Sequence, residues 1–176
     1  METVIVSLIC IALMVVGGMT MSQGFLSSVD TSMASWENMG EINEEIMRTE
    51  LSSINTTQPS AAKLDVTLGN SGQTKLNDFD KWDVVVQYYD SSGSYYIKWL
   101  PYTDGTLGRN EWKVKGIYID AENKTPETFD PGILNPGEEI IIRAKLDPPV
   151  GRGTTNLVVV STPNGVSTST PFAGAE

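Results

Sequence analysis

Between Glu2 and Asp30 the chain carries no charged side chain, and within that stretch Val4 to Met21 reads VIVSLICIALMVVGGMTM, interrupted only by Ser7, Gly17, Gly18 and Thr20. A run of this kind meets the roughly 20 apolar residues that a membrane-spanning helix requires. A secretory signal peptide fits less well. No basic residue stands ahead of the run, and the run exceeds the about 7–15 apolar residues of a signal-peptide core.

Beyond Gln23 the pattern continues with a different character. Phe25, Val29, Met33, Trp36, Ile42, Ile46 and then Leu51 or Ile54 follow one another at helical spacing, while Asp30, Glu37, Glu41, Glu44, Glu45 and Arg48 occupy the other face. The periodicity predicts one helix over residues 1–54, with 1–24 spanning a membrane before assembly. At 1.5 Å per residue such a rod is roughly 75–80 Å long. A globule of about 100 residues has a radius of gyration near 13 Å and cannot cover it. Lipid, other copies of the same helix, or both must do so.

Residues 55–62 read as a Thr/Pro/Ser/Ala linker, after which the period changes from helical to alternating. Short runs rich in Val, Ile, Tyr and Thr then alternate with turn signals. They predict strands over 63–68, 82–89, 95–100, 111–119, 138–146, 156–161 and 165–170, with Asn135-Pro136-Gly137 and Pro163-Asn164-Gly165 as turns. The expected class is α+β: a long N-terminal helix followed by an antiparallel β-sandwich head of immunoglobulin-like architecture over 63–176.

Composition excludes several chemistries. The 176-residue chain has 22 acidic and 12 basic residues, a net charge of −10 and no histidine. Affinity for a phosphate backbone comes from Lys and Arg, so nucleic-acid binding is not expected. Without histidine, Ser/His/Asp and Cys/His triads are impossible. Cys10 is the single cysteine, which rules out an internal disulfide or a structural zinc site, and it reads as a small hydrophobe within the helix. Asp78, Asp80 and Asp83 lack the glycine and terminal glutamate of an EF-hand and read as a solvated turn. Glu138 and Glu139 are strand neighbours and point to opposite faces, so they cannot flank one bond. No catalytic residue, cofactor or metal is expected. Asn55-Thr56-Thr57 and Asn123-Lys124-Thr125 are N-glycosylation sequons expected on loops.

The head carries two segments with a family likeness. LGNSGQTKLNDFDKWDVVVQYYD, Leu68 to Asp90, and LNPGEEIIIRAKL, Leu134 to Leu146, together with the apolar-then-amphipathic helix, resemble the archaellins, archaeal flagellins built on a type IV pilin-like plan. The resemblance covers most of the chain. It implies a class III signal peptide cut by a prepilin-type peptidase and polymerisation of the N-terminal helices into the core of an extracellular, helical motility filament. It also implies partnership with an assembly platform and a motor ATPase. Bacterial type IV pilins carry glutamate at the fifth mature position, where Ile5 stands here. The sequence leaves open whether Met1 is an initiator or is exposed by processing.

The residues expected to pack in such a core are Glu2, Ile5, Leu8, Ile9, Ala12, Val15, Val16, Met19, Phe25, Val29, Met33 and Trp36. Glu2 is either a first-turn acid favoured by the helix dipole or the partner of an α-amino group. Close approach of helices would use Ser7, Ala12, Gly17, Gly18 and Gly24. The preferred function is a homopolymeric filament subunit. The alternatives are an adhesive pilin or envelope-anchoring accessory subunit, and a membrane-tethered enzyme or binding module.

Overall fold

A computed structural model describes the backbone of residues 2–175 and the side chains of residues 3–175. Glu2, as a packing residue, therefore lies outside the described side chains. The chain divides into two compact units, Met1–Glu44 and Glu45–Glu176.

Helix α1 runs Glu2–Arg48, about 70 Å at the ordinary rise per residue. No proline interrupts its apolar stretch, and Leu, Met and Ala favour the helix there against the weaker propensity of Val, Ile and Gly17-Gly18. Ser7 and Thr20, the hydroxyl residues within that stretch, donate to carbonyls of their own helix: Ser7 Oγ to Val4 O at 2.9 Å, and Thr20 Oγ1 to Gly17 O at 2.9 Å. Neither leaves an unsatisfied donor on an apolar surface.

The helix stops at Arg48, not at Ile54 as the periodicity predicts. Within the head unit, Gln73 N–H donates to the Arg48 carbonyl at 2.7 Å and Thr49 Oγ1 donates to the Glu45 carbonyl at 2.8 Å. Thr49 is buried and its hydroxyl accepts from Asn164 Nδ2 at 2.9 Å. The terminal carbonyls of Glu45 and Arg48 thus find partners beyond the last helical turn.

The expected linker is largely strand. β1 spans Leu51–Ser60, and Leu51 belongs to the head core rather than to a helical stripe. Ser, Asn and Thr obscured it in the sequence, as did Pro59. A proline is tolerated here because β1 lies at a sheet edge and bonds only to one neighbour.

The remaining strands are β2 (Lys63–Asn70), β3 (Asp83–Tyr89), β4 (Tyr95–Leu100), β5 (Glu111–Asp120), β6 (Thr125–Pro126), β7 (Glu139–Lys145), β8 (Thr155–Ser161) and β9 (Ser167–Ala173). β6 is the second strand that the sequence does not announce, being two residues long. They form a five-stranded sheet ordered β1-β2-β7-β5-β6 and a four-stranded sheet ordered β4-β3-β8-β9, with antiparallel pairing throughout. Leaving β6 aside, these are the A-B-E-D and C′-C-F-G orders of the immunoglobulin-like sandwich.

Between the sheets lies one core that includes Leu64, Val66 and Leu68 of β2, Val84, Val86 and Tyr88 of β3, and Trp112, Ile140, Ile142, Val158 and Val160. Every second residue of β2, β3, β7 and β8 enters it, which explains why alternation located those strands. No cysteine takes part.

Candidate functional site

Over residues 3–21 the surface of α1 is apolar all round. The most apolar 18-residue window averages a hydropathy of 2.5 and contains no residue buried within the chain. Ile5, Leu8, Ile9, Val15, Val16 and Met19 are each more than half exposed, and Ala12 is exposed as well. At about 100° per residue these seven fall on one side of the helix, within an arc of about 120°. Leu13, Met14 and Met21 are also exposed. A helix hydrophobic on every side belongs in a membrane or inside an assembly.

Further along, Phe25, Val29, Met33 and Trp36 fall within an arc of about 80°. Phe25, Met33 and Trp36 are exposed at 70%, 67% and 78%, whereas Val29 is partly covered. Ser28, Val29, Ser32, Met33 and Trp36 line a shallow hollow of about 500 Å³. The hydroxyls of Ser32 and Ser35 donate to carbonyls one turn back. The two arcs are centred about 100° apart around α1, so the residues expected to pack lie on it in two stripes that meet at one edge.

The head's acidic groups are engaged in ways that sequence alone does not reveal. Asp78 pairs with Lys81 at 2.7 Å, and Asp83 accepts from Trp99 Nε1 at 2.8 Å. Glu138 accepts from Asn135, whereas Glu139 accepts from the Ala121 amide at 2.7 Å. Asp65 is 5% exposed on the outer side of the five-stranded sheet. It receives Arg143 Nε and Nη2 at 2.6 Å each and Lys115 Nζ at 3.0 Å. Burial pulls its pKa upward, but hydrogen bonds from Arg143 and Lys115 outweigh this and hold the carboxyl below its ordinary value. Asp65 and Arg143 are direct cross-strand partners on β2 and β7, a pairing legible only once the register is known.

Asn55 lies on β1 rather than on a loop, exposed beside a bulge. With Thr57, Asp65, Lys115, Lys124 and Glu139 it lines a cleft of about 610 Å³. Asn123 sits on the turn between β5 and β6, with its amide Nδ2 donating to Asp120 Oδ2 at 2.7 Å.

No family model matches the sequence, and no curated protein matches it. Solved structures do. The archaeal flagellum of Methanospirillum hungatei strain JF1 is similar at a TM-score of 0.57 and 12% identity, over 96% of this chain and 91% of that one. The archaellum periplasmic stator protein complex FlaF and FlaG from Sulfolobus acidocaldarius is similar at 0.51 and 21% identity, over 70% of this chain and 89% of that one. The stator protein FlaG from the same organism is similar at 0.50 and 20% identity, over 70% and 99%. The fold is that of archaellum proteins. At these identities the likeness is one of architecture: long apolar helix and antiparallel sandwich in the first case, and no more than 70% of this chain in the other two.

Proposed function

We propose that this chain is an archaellum component, and specifically a structural subunit that polymerises through α1 into an extracellular motility filament. The observation that carries the reading is the apolar, uncovered surface of α1 from Val4 to Met21, interrupted only by small and hydroxyl residues and followed after Ser22-Gln23-Gly24 by the stripe from Phe25 to Trp36. The likeness to the Methanospirillum hungatei flagellum supports it, because at 96% coverage the match takes in the helix as well as the head.

The physics of the helix accounts for both phases of such a life. In a bilayer the apolar side chains are solvated by lipid, and helices gain little from one another beyond close van der Waals contact. In water the same surfaces bind tightly. Burying roughly ten large side chains at about 1.5–3 kcal/mol each amounts to more than about 15 kcal/mol per subunit before entropic costs. Contacts that do not close on themselves generate a helical fibre. The subunit's role is structural, not catalytic, and its partners are other copies of itself, the membrane during export, the assembly platform, the motor ATPase and the prepilin-type peptidase. Asn55 and Asn123 are proposed glycan sites, of which Asn55 has the amide less engaged.

A second reading, a stator-like accessory subunit that keeps α1 in the membrane, is favoured by the match to FlaG, which takes in 99% of that chain. Electron cryo-microscopy of material sheared from cells separates the two. A filament with α-helical core density and this head outside establishes the subunit. Filaments lacking the chain, with all of it in the membrane fraction, establish the accessory.

A further inference from the structure

The outer side of the five-stranded sheet is not flat. Between β1 and the turn at residues 121–124 it sinks into the cleft of about 610 Å³ that Asn55 lines. The register builds this depression. Ser53 pairs with Leu68 and Asn55 with Thr67, so Ile54 is the extra residue of a bulge, and the alternation that would turn Ile54 and Asn55 to opposite faces fails there. Both are exposed and both line the cleft. Ile54 leans over Gly69, where a Cβ would come within 3.1 Å of its Cδ1. From Asn55 the row runs across the sheet through Thr67 to Ile141, and from Thr57 through Asp65 to Arg143.

The lining is amphiphilic. Ile54 and Ile141 give carbon surface, Thr57 and Thr67 give hydroxyls, and Asp120 and Glu122 give carboxylates at the rim. A pyranose has matching chemistry, with C–H faces and a hydroxyl edge that donates well to carboxylates.

Attachment selects the occupant. Asn55-Thr56-Thr57 is an N-glycosylation sequon, and its acceptor side chain is part of the cleft's own wall. Asn55 Oδ1 accepts from the Thr56 amide at 2.8 Å, which fixes the side chain and leaves Nδ2, the atom a sugar would join, without a partner among the described residues. Asn123, the acceptor of the second sequon, does not line the cleft, and its Nδ2 is bonded to Asp120.

We propose that Asn55 carries an N-linked saccharide whose first sugar, a neutral pyranose, is seated in this cleft. The proposal rests on the reading of Asn55 as a glycan site and holds for a filament subunit and an accessory subunit alike. Charge sets the class of sugar. The cleft already holds four carboxylates, those of Asp65, Asp120, Glu122 and Glu139, against the two ammonium groups of Lys115 and Lys124, and a uronic acid would add a fifth. Tethering supplies the rest. A short linker gives an effective concentration of about millimolar, so contacts too weak to hold a free sugar suffice for an attached one.

The test uses the full chain from its own cells, taken from whichever fraction holds it. Glycopeptide mass spectrometry reads the occupancy of Asn55 and its first sugar. Acylation of the folded chain by an N-hydroxysuccinimide ester of acetate reads seating at Lys124, across the cleft from Asn55, against Lys63, which is exposed outside it. The expected result is a neutral hexose or N-acetylhexosamine on Asn55. Lys124 should react at least about threefold more slowly than in Thr57→Ala, which lacks the sequon, as for a sugar seated about two-thirds of the time, with Lys63 unchanged. Thr57→Ser keeps the sequon and should keep the slow rate. Should Thr57→Ala not accumulate, the glycosylated chain is compared with itself in denaturant, where the Lys124 rate relative to Lys63 should rise by the same factor. Bare Asn55 overturns the glycan assignment and the proposal with it. A glycan on Asn55 that begins with an acidic sugar, or that leaves Lys124 unprotected in either comparison, overturns the seating alone.

Discussion

At Asp65 a carboxylate is buried on the outer side of a sheet, and its two cations decide whether that stabilises or harms the fold. Because Arg143 and Lys115 hold its pKa below 3.8, its contribution is present above the unfolded-state value and is lost as pH falls through the folded-state value. Asp65→Asn should therefore cost about 2 kcal/mol at pH 7, where the partly exposed cations recover part of their hydration, and distinctly less at pH 3. Denaturant titrations at the two pH values check this, and equal losses would contradict it. Tyr88 works in the opposite sense. Burial first, then the nearby Tyr96 and acids, push its pKa up to about 12, and its hydroxyl donates to the Pro148 carbonyl at 2.9 Å. A raised pKa adds stability below the unfolded value near 10 that is lost as pH rises through the folded value. Tyr88→Phe should cost about 1 kcal/mol at pH 7 and progressively less between pH 10 and 12, read from the same titrations. Gly72 is required by closeness: a Cβ there would lie 2.5 Å from both the Arg48 oxygen and the Glu50 nitrogen. These are backbone atoms that cannot rotate aside, so Gly72→Ala should cost about 2 kcal/mol or more in the thermal stability of the head.

Helix α1 was legible in the sequence because a long uncharged run and a three-and-four spacing have no other economical explanation. Its C-terminus was not. Thr49 to Ile54 retains apolar residues at helical spacing, and what ends the helix is the Gln73 amide on the Arg48 carbonyl and Asn164 on Thr49, partners distant in sequence. β1 was hidden for a related reason, since its pairing is to β2 alone and polar residues occupy both of its faces, with Ser52, Ser53 and Thr56 partly buried and Ile54 exposed, so no alternation marks it. If the exposed face of α1 is the assembly surface, a charge at its centre should abolish the filament without touching the head. Ile9→Lys and Val15→Asp are each expected to remove filaments completely while the head's circular dichroism stays unchanged. Normal filaments in either variant would sink the packed-core reading. Because a charge at a bilayer centre costs at least about 2.5–3.5 kcal/mol, membrane fractionation must show that the chain still inserts.

On the scale of the whole molecule, the chain divides into the units Met1–Glu44 and Glu45–Glu176. The buried hydrophobic core begins at Leu51 and draws nothing from the first unit. A fragment starting at Glu45 should accordingly remain soluble, unfold in one cooperative transition and form no polymer at any concentration; sedimentation and thermal scans check both halves of this expectation. By itself the sequence determined the helix, seven of the nine strands and the sandwich class, because hydrophobic period is a local property that each segment carries alone. It also determined what is chemically out of reach, since triads and zinc sites need residues the chain lacks. Tertiary structure alone decided where the helix ends, that Asp65 meets Arg143, and that Tyr89, Tyr95, Ile97 and Trp99 form one outward face. In YYIKWL both alternating sets contain large apolar residues, so the sequence shows a strand without showing which side faces water. That choice depends on which strands become neighbours, and strand order arises from contacts among segments far apart in the chain.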